Sequence, residues 1–146
     1  MNRLKSATKE VQTTAAQRVN KAVTNATADL FSEIQDTTPV GKGYEGYSGG
    51  NLKVGNRMDV KGFRGRIWNP VEYARYVHDG TRPYVIRPKN KKALAFKIGD
   101  RWVVTKKVNH PGIRAQPWYD EAGRKKVNDL RLEFVKMNKD IANLFK

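Results

Sequence analysis

The sequence has 146 residues, no cysteine, 38% hydrophobic residues and a mean hydropathy of −0.74, which predicts one domain with a core that is thin or shared with partners. No apolar run approaches the roughly 18 residues of a membrane span, no signal-peptide core follows the amino terminus, and disulfides and thiolate metal sites are excluded. The net charge of +15 is typical of a protein that meets nucleic acid or an acidic protein surface, although a solvated basic face explains it equally well.

A long helix is predicted at the amino-terminal end, from Asn2 to Asp36. Its apolar residues recur about every four positions and form a narrow stripe, and Thr37, Thr38 and Pro39 end it. Unbroken, it is about 50 Å long at about 1.5 Å per residue. Such a helix is longer than one small domain needs. We therefore expect part of it, centred on residues 13–28, to pack on a neighbouring subunit or to bend.

A glycine-rich loop is predicted next, over residues 39–50, because five of these twelve residues are glycine. Tyr44 and Tyr47 lie in it. Aromatic side chains beside basic residues stack on bases in single-strand binding proteins, so both are candidate contacts for a ligand or base. The alternative, which we prefer, is a loop that becomes ordered only on assembly.

A β-hairpin is predicted over Asn51 to Trp68, with Lys61-Gly62 in its turn region. Apolar residues alternate in both halves, with Leu52 and Val54 on one face. In the second half Phe63, Gly65 and Ile67 share a face.

A short helix is predicted from Pro70 to Asp79. Asn69 can cap its amino-terminal end, and Gly80 provides the positive φ that ends such a helix. An extended segment follows between Pro83 and Pro88.

A second hairpin is predicted from residues 94–98 and 102–108, around the turn Gly99-Asp100. Residues 109–117 contain two prolines and a glycine and predict an irregular crossing. The last helix is predicted from Pro117 to the end of the chain, with an amphipathic apolar stripe. The fold class is therefore α+β: a mostly antiparallel sheet flanked by the two terminal helices, with the short helix inserted between strands, in a single domain of residues 1–146.

Catalytic groups are few. His78, Asp79, His110, Glu45 and Glu72 offer acid–base chemistry, but no serine or cysteine nucleophile lies in a recognised elbow and no carboxylate cluster predicts a metal site. Neighbouring side chains diverge on a helix, so His78 and Asp79 are not expected to form a dyad. We expect no enzymatic activity, no metal and no cofactor.

Three motifs carry a resemblance to a known family. They are TPVGKG after the first helix, the segment IWNPVEYARYVHDGTRPYVIRPKNKKALAF, and VNHPGIRAQPWYDEA, and together they span roughly Thr38 to Ala122. In this order they resemble the HK-type tail-component, or tail-completion, family of long-tailed bacteriophages. The family motifs fall on residues to which the resemblance gives an architectural role: Tyr73, Tyr76, Gly80, Pro83, His110, Pro111, Gly112 and Pro117. Trp118-Tyr119 stands where a phenylalanine is usual in this family.

The resemblance implies a non-enzymatic structural protein of the virion neck or tail, assembled in the host cytoplasm. Such a protein forms a homo-oligomeric ring, expected to be six-fold, that completes the tail or joins the head connector to the tail tube. Connector and tail-tube proteins are then its partners, and DNA passes through the ring without specific binding. The alternative is a basic nucleic-acid-binding module that acts alone, and ring stoichiometry separates the two.

The basic charge is concentrated in the middle of the chain, with a net charge of +11 over residues 41–110. A cluster without an acidic neighbour is formed by Arg82, Arg87, Lys89, Lys91 and Lys92. Such a cluster stays solvated or meets negative charge. Because DNA must slide through a neck, we expect the cluster to contact an acidic protein surface on a rim of the ring.

Overall fold

The computed structural model describes residues 2–41 and 49–145, and for residues 2–7 it describes the backbone alone. The elements in chain order are α1 (Asn2–Thr37), α2 (Asn51–Gly55), β1 (Arg57–Lys61), β2 (Arg64–Trp68), α3 (Ala74–Asp79), β3 (Tyr84–Ile86), β4 (Leu94–Ile98), β5 (Arg101–Thr105), β6 (Val108–His110) and α4 (Trp118–Ala142), and a 3-10 turn over Asn143–Phe145. The α+β class is confirmed. The chain divides into two compact units: unit 1 (Met1–Ala74 with Trp118–Lys146) and unit 2 (Arg75–Pro117).

Helices α1 and α4 of unit 1 pack antiparallel. Their contacts include Arg18 to the carbonyl of Asp140 (2.7 Å), the Asn25 amide to Glu133 (2.9 Å) and Lys125 to Glu33 (2.9 Å). From one contact to the next, the residue number on α1 rises by as much as the residue number on α4 falls, so the register of the two helices is constant over these contacts. Residues 13–28 of α1, which were expected to meet a neighbouring subunit or to bend, therefore lie along α4 of the same chain.

The β1–β2 hairpin packs on α1. Gly65 of β2 lies directly against α1, because a Cβ atom at this position would overlap the Thr27 hydroxyl. Gly65 and Ile67 face the helix as the alternation predicts. The turn is formed by Gly62 (φ 55°) and Phe63, so Gly62 lies in it as predicted, whereas Lys61 ends β1 and Phe63 is not part of β2. The fully buried large side chains of the described residues are Trp118 and Ile34. The core is thin, as its composition predicts.

The hairpin prediction is wrong for its first part, residues 51–55, which form helix α2. Gly50 enters it with φ 80°, and Leu52 is buried while Val54 is exposed, so the two do not share a face. The cause is the buried Asn56, whose amide donates to Gln35 and Thr38 and whose oxygen accepts from Asn69 and Tyr119. This network fixes the chain just after α2, and an extended strand there would break it.

The short helix begins four residues later than predicted, at Ala74 rather than Pro70. The Asn69 oxygen does accept a backbone N–H, from Val71 at 3.0 Å, but the Asn69 amide also donates to the carbonyl of Leu52. Residues 71–74 then form a turn, closed by the N–H of Ala74 to the carbonyl of Val71. The side chain that was expected to cap a helix thus caps this turn and ties it to α2.

The strands form three separate two-stranded antiparallel ladders within the described residues, β1–β2, β3–β6 and β4–β5, where one larger sheet was expected. The turn at Gly99-Asp100 is confirmed, with Gly99 at φ 58°. Strand β5 ends at Thr105, whose hydroxyl bonds to the backbone of Lys107, so residues 102–108 are not one strand. Strand β6 pairs with β3; it contains Val108, which was expected to end the second hairpin, and residues 109–110, which were expected to be irregular.

Candidate interaction surfaces

The last two family motifs meet in unit 2 at one corner after α3. Thr81 and Ile113 exchange backbone hydrogen bonds of 2.9 and 3.2 Å, and the N–H of Gln116 donates to the carbonyl of Val77 at the end of α3. Gly80 has φ 73°, as predicted, and Gly112 has φ 90°. A Cβ atom on Gly80 would lie 2.7 Å from the carbonyl oxygen of Ile113. The corner therefore requires glycine both for its backbone conformation and for space.

His110 and Pro111 lie at the same corner. The Gly112 N–H donates to His110 Nδ1 at 3.0 Å, and the imidazole stacks on Tyr84 with ring centroids 4.7 Å apart. Pro83 directly precedes Tyr84 and β3. These contacts hold the backbone in place and give His110 a structural role at the corner.

His78 and Asp79 do contact each other, so the expectation that they diverge is wrong. His78 Nδ1 lies 2.8 Å from Asp79 Oδ1, because Asp79 is the last residue of α3 and its side chain turns back toward the helix. Arg75 Nε lies 3.5 Å from the same carboxylate. The hydrogen bond from His78 is the main cause that lowers the pKa of Asp79 below its ordinary value. The carboxylate is exposed, and the group is an ion-pair network at a helix end.

The other predicted site residues are scattered. Tyr73 lies in the turn before α3 and Tyr76 on the helix itself, both with exposed side chains, and Pro117 directly precedes α4. Tyr44 and Tyr47 lie outside the described residues. Among the residues that are described, no group of three or more histidine, aspartate or glutamate side chains could hold a metal ion, and no helix could span a membrane.

A cavity of about 430 Å³ lies in unit 1 between α1, the β1–β2 hairpin and α4. Its size is that of a small-molecule site, which needs convergent polar groups to orient a ligand. Thr27 instead donates to the carbonyl of Val23, and the Tyr119 hydroxyl to Asn56. The described lining is otherwise apolar, and we interpret the cavity as a gap in a thin core: Val23, Ala26, Thr27, Leu30, Ile34, Phe63, Gly65, Ile67, Tyr119, Leu130 and Phe134.

One face of the β4–β5 ladder is exposed and largely apolar. The register places Ala95 opposite Val104 and Lys97 opposite Trp102, so these four side chains share a face, the apolar hairpin face. Trp102 and Val104 are each 69% exposed. A two-stranded hairpin is only marginally stable in water without a covered face. Sequence reasoning placed both strands but did not identify this face, because it takes the register to show which residues share it.

The predicted basic cluster is divided by β3. Arg82 lies before this strand, near the Gly112 corner, whereas Arg87, Lys89, Lys91 and Lys92 follow it. The structure adds two lysines that sequence reasoning missed, Lys106 and Lys107, on the connection from β5 to β6. They could not be assigned from the sequence because the pairing of β3 with β6 brings the two connections together.

Comparison with known proteins adds no relative: no protein-family model, curated protein or solved structure matches the chain.

Proposed function

We propose that the chain is a structural, non-enzymatic subunit of a bacteriophage virion. In this proposal it forms a closed homo-oligomeric ring in the neck or tail, which completes the tail or joins the head connector to the tail tube. The ring assembles in the host cytoplasm, its neighbours are connector and tail-tube proteins, and DNA passes through it.

The observation that carries the assembly part of the proposal is the apolar hairpin face. Burying a tryptophan and a valine contributes about 1.5–3 kcal/mol for each side chain, and a central tryptophan is a frequent anchor of protein interfaces. The phage part rests on the resemblance of the motifs, two of which meet at the Gly80 corner.

The test is the oligomeric state of purified protein. Sedimentation should give one closed species of several subunits for the unmodified chain, and the double change Trp102→Lys with Val104→Lys should give folded monomer. Val54→Lys is the matched control, because Val54 is 73% exposed but lies on α2 in unit 1. A chain that is monomeric at every concentration would contradict the assembly proposal.

The phage assignment has its own test. An antibody against the chain should label the head–tail junction or the tail of purified particles by electron microscopy. Label at the capsid surface only, or free protein only, would contradict it.

A stand-alone nucleic-acid-binding module is the second candidate. The observation that favours it is the gathering of basic side chains in unit 2, which carries eleven basic and two acidic residues among its 43 positions. A monomer that binds nucleic acid tightly would favour this candidate.

A further inference from the structure

Two basic connections run side by side in unit 2. Ile86 and Val108 are the last pair of the β3–β6 ladder, so Arg87 and Lys107 are the next residues on either side. Leu94 and Thr105 are the first pair of the β4–β5 ladder. Residues 87–93 and residues 106–107 therefore both cross from one ladder to the other. We call their cations the basic junction: Arg87, Lys89, Lys91, Lys92, Lys106 and Lys107.

The longer connection must bulge outward. Residues 106 and 107 limit the gap between the ladders to about 10 Å, since each residue spans at most about 3.5 Å. Seven residues cross the same gap on the other side. The excess length forms a series of bends over residues 89–93, and all six cations of the junction are exposed.

No acidic side chain forms an ion pair with the junction among the described residues. None of the ion pairs among the described residues involves any of the six cations. Unit 2 contains two carboxylates. Asp79 is bound by His78 and Arg75, and Asp100 lies at the far turn of the β4–β5 hairpin. Six like charges held on two adjacent connections repel one another, and a polyanion would relieve this repulsion.

We propose that the basic junction binds the phosphate backbone of duplex DNA without reading its sequence. Lysine is depleted at protein–protein interfaces, whose centres are apolar, and the junction has five lysines with Pro88 and Ala93 as its apolar residues. Lysines act as point charges toward phosphates, and binding then proceeds by counterion release. This observation favours DNA over the acidic protein surface expected from the sequence.

We expect the ligand to be duplex rather than single-stranded DNA, because the basic junction has no aromatic side chain that could stack on a base. Single-strand binding surfaces place aromatic rings beside the cations, and neither connection of the junction contains an aromatic residue. Contacts made through charge alone also let a protein slide along DNA. Binding of this kind is therefore compatible with passage of DNA through a ring. The proposal that the basic junction binds duplex DNA goes beyond the proposed function and does not depend on it.

The experiment measures the affinity of the full chain for a fluorescently labelled 30-base-pair duplex by anisotropy, between 50 and 200 mM salt. The junction variant changes Lys89, Lys91, Lys92 and Lys107 to Gln. The control variant makes the same charge change in unit 1, at the exposed residues Lys9, Lys21, Lys136 and Lys139. Six phosphate contacts predict a slope of about −5 for log affinity against log salt concentration. In the junction variant, which lacks four of the six charges, the magnitude of this slope should fall by about 3–4. Its affinity for the duplex should fall at least about tenfold.

The control variant should keep the slope of the unmodified chain. Equal losses in both variants would overturn the proposal in favour of a general effect of net charge, and so would absence of duplex binding at 50 mM salt. Tighter binding of a single strand that Trp102→Ala abolishes would overturn it in favour of a stacking surface. Sedimentation of the same samples separates this proposal from assembly, because the junction variant should form the same oligomer as the unmodified chain.

Discussion

Gly80 and Gly99 allow backbone strain and steric overlap to be measured separately. Both have positive φ, 73° and 58°, but a Cβ atom on Gly99 meets nothing within 4 Å, whereas on Gly80 it lies 2.7 Å from the Ile113 oxygen and 2.8 Å from the Ala115 nitrogen. Gly99→Ala should cost about 1–2 kcal/mol of unfolding free energy through left-handed strain. Gly80→Ala should cost more, because backbone atoms at the corner must also move.

Chemical denaturation of the two variants and the unmodified chain measures the difference. Equal losses of unfolding free energy in the two variants would mean that the backbone around Gly80 can move at little cost. The two backbone hydrogen bonds between Thr81 and Ile113 would then be weak. The positive φ of Gly80 was predictable from its place after a helix, whereas the overlap with Ile113 required the structure.

Asp79 makes stability depend on pH in a defined direction. Its pKa is lowered in the folded chain, mainly by the hydrogen bond from His78, so its favourable contribution is complete above the ordinary value of 3.8 and is lost as pH falls through the folded value. Thermal unfolding should therefore show Asp79→Asn less stable than the unmodified chain at pH 5, with the gap closing below pH 4.

Asp100→Asn is the control, since Asp100 lies in an exposed turn and no ion pair involves it among the described residues. A gap between Asp79→Asn and the unmodified chain that stays constant down to pH 3 would contradict the assigned direction. The contact itself was missed from the sequence, because the divergence of neighbouring side chains holds inside a helix and Asp79 ends one.

At the scale of elements, α1 is longer than its partner. If the register of the three α1–α4 contacts continues through the 3-10 turn after α4, Phe145 lies opposite residue 13, and residues 2–12 lie beyond Phe145. Most of the stability of a helix comes from packing. Deleting residues 2–11 should therefore change the unfolding free energy by less than about 1 kcal/mol. We also predict that this extension contacts a neighbouring subunit of the proposed ring, so the same deletion should dissociate the ring in sedimentation.

The comparison is a deletion of residues 2–20, which also removes Arg18 and its bond to Asp140. It should destabilise the monomer as well. A ring that survives the shorter deletion would assign assembly to other surfaces.

The long, periodic elements were predictable and the short ones were not. Helices α1 and α4 follow from their apolar stripes, and the Gly99 turn from its residue types. Helix α2 was missed because five residues are too few for a period and because the buried Asn56, which fixes the chain after it, bonds to residues far away in sequence. Similarly, Asn69 has the sequence pattern of a helix cap but closes a turn, since its amide is held by Leu52.

For the whole molecule, the thin core and the exposed hairpin face predict that folding and assembly are coupled. A ring that binds only folded subunits raises the apparent stability by mass action. The thermal midpoint of the unmodified chain should therefore rise with protein concentration, as measured by scanning calorimetry over a hundredfold range. The double variant of Trp102 and Val104 to lysine should have a midpoint that does not depend on concentration.

A concentration-independent midpoint for the unmodified chain would mean that the monomer is stable alone, and the apolar hairpin face would need another explanation. The α+β class was predictable from the order of elements, but the division of strands into three ladders was not, because it depends on pairing between distant segments. The basic junction was only partly predictable from the sequence. Residues 87–93 form a basic cluster that is contiguous in the sequence, whereas residues 106–107 join it only through strand pairing.

The bulge over residues 89–93 also allows contacts at this part of the chain to be detected by limited proteolysis. Trypsin cleaves after lysine and arginine, and an exposed connection that carries Lys89, Lys91 and Lys92 outside any strand is the kind of segment that proteases cut first. A single cut there leaves both flanking ladders paired, so the nicked protein should stay folded. Any ligand or partner that covers the bulge should slow the cut, and the cleavage rate then reports occupancy at this position directly.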